Sequence, residues 1–150
     1  MDIKNILFVC TGNTCRSPMA EGICNVLMKE LGITAKSAGL SVLMPTAPSK
    51  NAIIAASEYG ADISKHEARQ LSEDDVKCAD LVLTMTGTHK MMIKTAFPYY
   101  SDKVYTMYEY ALGKRFVDVS DPYGGSYDIY KSCCDEIYSL TEKIKNKIQE

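Results

Sequence analysis

The apolar run from Ile3 to Val9 (IKNILFV) is followed eight residues later by Ser17-Pro18, with Cys10-Thr11-Gly12-Asn13-Thr14-Cys15-Arg16 in between. A short apolar stretch bounded by loop residues reads as a buried parallel strand, and Ser-Pro reads as the N-cap and first position of a helix over 19–31. The seven residues between them therefore form a loop at a strand's carboxyl end. Successive backbone N–H groups curled around one point, with a helix N-terminus behind them, make a concavity that holds a tetrahedral oxyanion. Arg16 brings a fixed planar charge whose grip on phosphate oxygens strengthens as charge spreads in a transition state. Cys10 brings a nucleophile, because the same dipoles and guanidinium favour a thiolate. The stretch predicts a phosphate-cleaving site in which Thr11, Gly12, Asn13, Thr14, Cys15 and Ser17 surround the phosphate. Spacing alone does not decide this, since a cysteine at a strand's end is commonly a small core residue.

A second element supports the chemical reading. A thiolate that attacks phosphorus needs an acid to protonate the leaving group and then a base to activate water, and one carboxyl can serve both steps. Asp121, in Asp121-Pro122-Tyr123-Gly124-Gly125, is the candidate. Pro122 biases Asp121 toward extended geometry, and the paired glycines give a flexible stop before the last helix. Taken alone, Asp-Pro is a common turn dipeptide.

Along the chain, strands and helices alternate as in a doubly wound sheet. After the first strand and a helix over 18–32, an extended piece over 34–38 ends in Gly39. A loop with Pro45 and Pro48, expected to rim the site, leads to Ser49 as cap of a helix over 50–59. Ser72 starts a short helix with acids at 73–75, which suit its macrodipole. A strand follows over 81–85, then a helix capped by Thr88 that ends before Pro98. A fourth strand is expected over 103–107, followed by loop with a short helix near Glu109. Ile129, Cys133, Ile137, Leu140, Ile144 and Ile148 recur at three- and four-residue steps, the pattern of one apolar helical face.

VCTGNTCRSPMAE at 9–21, SAG at 37–39, HEAR at 66–69, ADLVLTM at 79–85 and DPYGG at 121–125 together resemble the low-molecular-weight protein-tyrosine phosphatase family. The resemblance runs nearly end to end. It implies an α/β fold of three layers, a four-stranded parallel sheet with helices on both faces. It also implies a cysteinyl-phosphate on Cys10, Arg16 as phosphate clamp and Asp121 as acid then base, with no metal or other cofactor. By the same match Asn13, Ser17, Ser37 and His66 form the polar set that supports the loop. Thr14, where many phosphotyrosine-specific members carry an apolar residue, and Gly124 after Tyr123 are similar to the bacterial protein-arginine phosphatase branch. A phosphoguanidino group brings several N–H donors, each of which would cost about 1–3 kcal/mol if buried against an apolar side chain, and a threonine hydroxyl can accept one. Thr14 can equally serve only to stabilise its own loop. The ring of Tyr123 can stack on a phenol or on a guanidinium plane.

Composition narrows the remaining choices. At 150 residues with 46% hydrophobic and 24% charged, the chain is expected to form one domain over 1–150. A net charge of −2 and the lack of any long basic run argue against nucleic-acid or membrane partners. No signal pattern and no apolar stretch near 18 residues is evident, so a cytoplasmic chain is expected. Phosphorylated proteins as substrates and inorganic phosphate as product are what the resemblance implies. Oligomeric state stays open. The six cysteines lack paired C-x2-C spacing and read as reduced thiols. Cys15 can nonetheless trap an oxidised Cys10 as a disulfide. Two alternatives come from other classes. A thioredoxin-coupled arsenate reductase would need a cysteine relay, and here Cys78 stands alone with Met85 where a partner would be sought. A non-catalytic anion binder would need neither Cys10 nor Asp121.

Overall fold

The computed structural model describes residues 2–150. Among these, β1 (Asn5–Cys10), β2 (Thr34–Gly39), β3 (Leu81–Thr84) and β4 (Val104–Thr106) form a parallel sheet in the order β2-β1-β3-β4. In β1, Ile6 lies opposite Ala35 on one side and Leu81 on the other. Both central strands are apolar almost throughout because helices cover both faces of the sheet. The pleat sends Ile6, Phe8 and Cys10 toward α1 (Arg16–Leu27), α5 (Met107–Leu112) and α6 (Tyr127–Gln149). Leu7 and Val9 face the other way, toward Val76 of α3 (Glu73–Cys78) and Ile93 of α4 (Gly87–Ala96). The remaining α-helix, α2 (Lys50–Ser57), packs Ala52, Ala55 and Ala56 into the same core as α1 and α6. The expected three-layer α/β architecture is the one observed.

Local boundaries differ where side chains have other employment. α1 begins at Arg16, ahead of the expected start at Pro18, and Ser17 is not its N-cap. The Ser17 hydroxyl is taken by Cys10 and Asn13, and Cys15 stands at the cap position without a side-chain hydrogen bond. Thr86 rather than Thr88 caps α4, accepting from the His89 N–H at 3.1 Å. The strand ends at Thr84, so the nearer threonine reaches the free amides first. β4 is only three residues long because Thr106 and Glu109 form a capping box that starts α5 at once. On α6 the expected face is rotated at its start: Ile129 is 51% exposed, whereas Tyr130 and Cys134 are buried beside Cys133, Ile137, Leu140 and Ile144. Ser49 and Ser72 cap α2 and α3 as the sequence predicts.

Candidate active site

The carboxyl end of β1 presents a cavity of about 300 Å3, lined by Cys10, Thr11, Gly12, Thr14, Cys15, Arg16, Asp121 and Tyr123. It stands at the switch point of the sheet, where β2 and β3 flank β1 on opposite sides, the place open α/β sheets offer a ligand. Cys10 is the last residue of β1, so the sheet fixes its position. Its sulfur lies 2.9 Å from Ser17 Oγ and accepts from the Asn13 N–H at 3.3 Å.

Asn13 organises the floor. It holds φ 57°, a left-handed conformation that asparagine tolerates better than most residues. Its wholly buried amide makes four hydrogen bonds: Nδ2 donates to Ser17 Oγ (2.8 Å) and Ser37 Oγ (3.0 Å), while Oδ1 accepts from His66 Nε2 (3.0 Å) and the Arg69 N–H (3.1 Å). Because Nδ2 only donates, it sets the direction of both hydroxyls. Ser17 is left to donate to the Cys10 sulfur, and Ser37 donates to Glu21 Oε1 at 2.6 Å. Gly39 closes this side: a Cβ there would stand 2.8 Å from the Thr11 carbonyl oxygen and 3.0 Å from Asn13 Cβ, so no larger residue fits. The side chains of Asn13 and Ser17 thus turn behind the loop, away from the cavity lining.

Among the described residues, the amides of Gly12, Thr14, Cys15 and Arg16 donate to no backbone carbonyl. They are the free donors a loop and helix N-terminus leave for an anion. The expected rim loop is stitched along the outside, with Leu40, Ser41 and Ser49 N–H groups donating to the carbonyls of Cys10, Thr11 and Thr14.

The guanidinium of Arg16 is almost fully buried. Nη1 donates to the Val119 carbonyl at 3.0 Å, and Nη2 stands 3.6 Å from Asp121 Oδ2. Val119 is itself pinned by its N–H to the Met85 carbonyl, and Asp118 accepts from the Gly87 N–H, so the segment before Asp121 is tied to β3 and α4. Asp121 by contrast is 57% exposed, and among the described residues its Oδ1 accepts only from the Tyr123 N–H. The Gly125 N–H closes a turn onto the Pro122 carbonyl, with Gly124 at φ 77° in the position that requires glycine.

The chain matches the low molecular weight phosphotyrosine protein phosphatase family over residues 5–150. It belongs to that family. It is an enzyme of the protein phosphatase class. A protein-arginine-phosphatase of Bacillus subtilis (strain 168) is 39% identical over 148 residues, 97% of each chain. A low molecular weight protein tyrosine phosphatase from T. tengcongensis is 46% identical, with TM-score 0.90, covering 96% of this chain and 99% of that one. A YwlE arginine phosphatase, a cysteine-to-serine mutant with a phosphorylated active site serine, gives TM-score 0.91 at 39% identity, covering 97% of this chain and 96% of that one.

The structure brings all twelve sequence-selected residues to one place and adds others that the motifs hid. His89, near the start of α4, places Nε2 at 2.9 Å from Thr11 Oγ1. Burial, and then the Arg16 charge, push its pKa down to about 4. Tyr130 of α6 sets its hydroxyl 3.4 Å from the Cys15 sulfur, which also stands 3.7 Å from Ser49 Oγ. Burial and the cysteine raise the Tyr130 pKa. Cys10 and Cys15 therefore address separate partners. Of the other thiols, Cys24, Cys133 and Cys134 are buried, and burial pushes each up to about 12. Cys78 is exposed with no exposed cysteine to relay to among the described residues, and the arsenate reductase alternative is not favoured. Among the described residues no group of three or more His, Cys, Asp or Glu side chains stands close enough to hold a metal ion. One of the chain's two histidines placed just after a strand was the available signal for His89; Tyr130 had none, since only docking of α6 reveals it.

Proposed function

We propose that this chain hydrolyses phosphoarginine on proteins through a cysteinyl-phosphate on Cys10. The observation that carries the substrate choice is Thr14, which lines the cavity together with Cys10, Arg16 and Asp121. A phosphoguanidino group entering there meets a hydroxyl acceptor for a donor that an apolar wall would leave unpaired. The relative from Bacillus subtilis named for arginine accords with this reading. Phosphotyrosine is the second reading, favoured by the tyrosine-named relative.

In this mechanism the free amides of the loop and the Arg16 guanidinium bind the nonbridging phosphate oxygens. The Cys10 thiolate, receiving the Ser17 O–H, attacks phosphorus. The S–P bond forms as the P–N bond breaks, and Asp121 gives its proton to the departing guanidino nitrogen. The Asp121 carboxylate then takes a proton from water as its oxygen attacks the thiophosphate. The S–P bond breaks, inorganic phosphate leaves and the thiolate is restored. Asn13, Ser37 and His66 support the loop without touching substrate.

The whole of 1–150 acts as one phosphatase domain in this account, working in the cytoplasm on phosphorylated proteins. No helix among the described residues is long and apolar enough to cross a membrane. The test is kcat/KM on two matched peptides, one carrying phosphoarginine and one phosphotyrosine, with the wild type and Thr14→Ile. Preference for arginine that Thr14→Ile reverses is the expected result. Preference for tyrosine in the wild type overturns the arginine reading and leaves Thr14 as a loop residue.

A further inference from the structure

We propose that His89 is a positioning residue for phosphate binding: its Nε2–H donates to Thr11 Oγ1, which leaves the Thr11 hydroxyl hydrogen free to donate to a phosphoryl oxygen in the cavity. The inference rests on the phosphatase reading above and extends it to a donor outside the backbone amides and Arg16. Three observations carry it. Thr11 follows the nucleophile and lines the cavity. Its Oγ1 stands 2.9 Å from His89 Nε2 and has no other hydrogen-bond partner among the described residues. The other ring nitrogen, Nδ1, is fully buried and has no hydrogen-bond partner among the described residues.

The orphan nitrogen decides the direction of the bond. Were the Thr11 hydroxyl the donor to Nε2, a neutral ring would carry its proton on Nδ1 and bury an unpaired N–H. With the proton on Nε2, only a lone pair is left unmatched at Nδ1, and buried orphan acceptors are commoner than orphan donors. A charged ring would bury the unpaired Nδ1–H as well, next to the Arg16 guanidinium. Asp118 and Asp121 are the acids that face the ring and would favour that charge, yet burial and Arg16 outweigh them. The neutral ring with hydrogen on Nε2 therefore suits this pocket best.

The backbone holds the arrangement in place. The His89 N–H is bonded to the cap Thr86 Oγ1, which fixes the start of α4 behind the loop. The Thr11 carbonyl accepts from Ser41 N–H, which anchors the residue and leaves its hydroxyl, beside its backbone N–H, as a donor able to turn toward a ligand. His89 touches no substrate; it acts by occupying the acceptor side of Thr11 Oγ1 and directing the hydrogen outward.

The first readout is the tautomer, from 15N spectra of the ring nitrogens in the wild-type protein near pH 7. Nε2 with the directly bonded hydrogen and Nδ1 without it is the expected result, and the reverse overturns the proposal. The second is the inhibition constant of inorganic phosphate, measured with kcat for Thr11→Val, His89→Met, the double variant and His89→Gln. Losing one donor to a charged acceptor should weaken phosphate binding about tenfold in each of the first two, the double variant should be no weaker than either, and His89→Gln, whose amide still donates, should stay within about twofold of wild type. Additive losses, or no loss in Thr11→Val, overturn the relay even if the enzyme is active. A wild type that neither binds phosphate nor cleaves either phosphopeptide overturns the phosphatase reading and the relay with it. If His89→Met does not fold, the tautomer, Thr11→Val and His89→Gln still decide.

Discussion

The floor and the rim of the cavity are built on opposite plans. On the floor, Asn13, Ser17 and Arg16 are buried and hydrogen-bonded, and the Asn13 amide uses its full bonding capacity. At the rim, Asp121 and Tyr123 stand mostly in water, and the loop carrying Leu43 and Met44 is exposed. A cradle that must offer donors to a developing charge gains from being fixed before the substrate arrives. A group that passes a proton to varied leaving groups and then to water needs access more than rigidity. The difference fits the proposed division of labour, with binding on a rigid loop and proton transfer on an open segment.

The strongest way to test that division is to remove the nucleophile alone. Cys10→Ser keeps the amides and Arg16, so turnover should fall by roughly 10^4-fold or more while phosphate binding survives in an equilibrium titration. Loss of binding along with turnover would mean the sulfur also holds the floor together. Asp121→Asn, at the rim, should slow a phosphopeptide with a poor leaving group by about 10^2- to 10^4-fold yet affect an activated aryl phosphate far less. Equal losses on both substrates would move Asp121 from chemistry to structure.

Stability should separate the two regions in the other direction. Asn13→Ala strands the partners of a buried amide and places alanine at positive φ, so denaturant unfolding should show a loss of roughly 2–4 kcal/mol. A neutral result would show that the loop relaxes without its organiser. His89 adds a pH-dependent contribution behind the floor. Its folded pKa of about 4 lies below the ordinary 6.5, so the unfolded chain binds the extra proton first as pH falls. The contribution is complete above about pH 6.5, declines through the interval and is gone below about pH 4, for a total of order 3 kcal/mol. Urea midpoints at pH 4.5 and 7 should therefore differ more in the wild type than in His89→Gln. Tyr123→Ala should change stability by less than about 0.5 kcal/mol, as an exposed rim residue, and show itself only in KM.

Much of this arrangement was legible in the linear chain. Cys10, the loop and Arg16 are contiguous, so a strand, a turn and a helix suffice to bring them together. Asp121 could be named as a candidate because the proposed chemistry demands a carboxyl, and the family resemblance set it apart from a common turn dipeptide. Ser17 shows the limit of local rules. Its sequence context is that of a helix cap, but in the fold it serves the thiol, since Asn13 reaches it from the preceding turn. Ile129 shows another, because periodicity identifies a face without saying which residue at its edge meets the core.

The sequence by itself determined the alternation of strands and helices and, together with the family resemblance, named the proposed nucleophile, clamp and acid, because these depend on local spacing and on residue chemistry. Only the tertiary structure decided who supports them. Glu21, His89, Tyr130 and the Val119 carbonyl reach the loop from other elements. Hydrogen bonds across 16 to 115 residues of chain depend on how helices dock on the sheet, and docking is set by packing of whole faces rather than by any short pattern of residues.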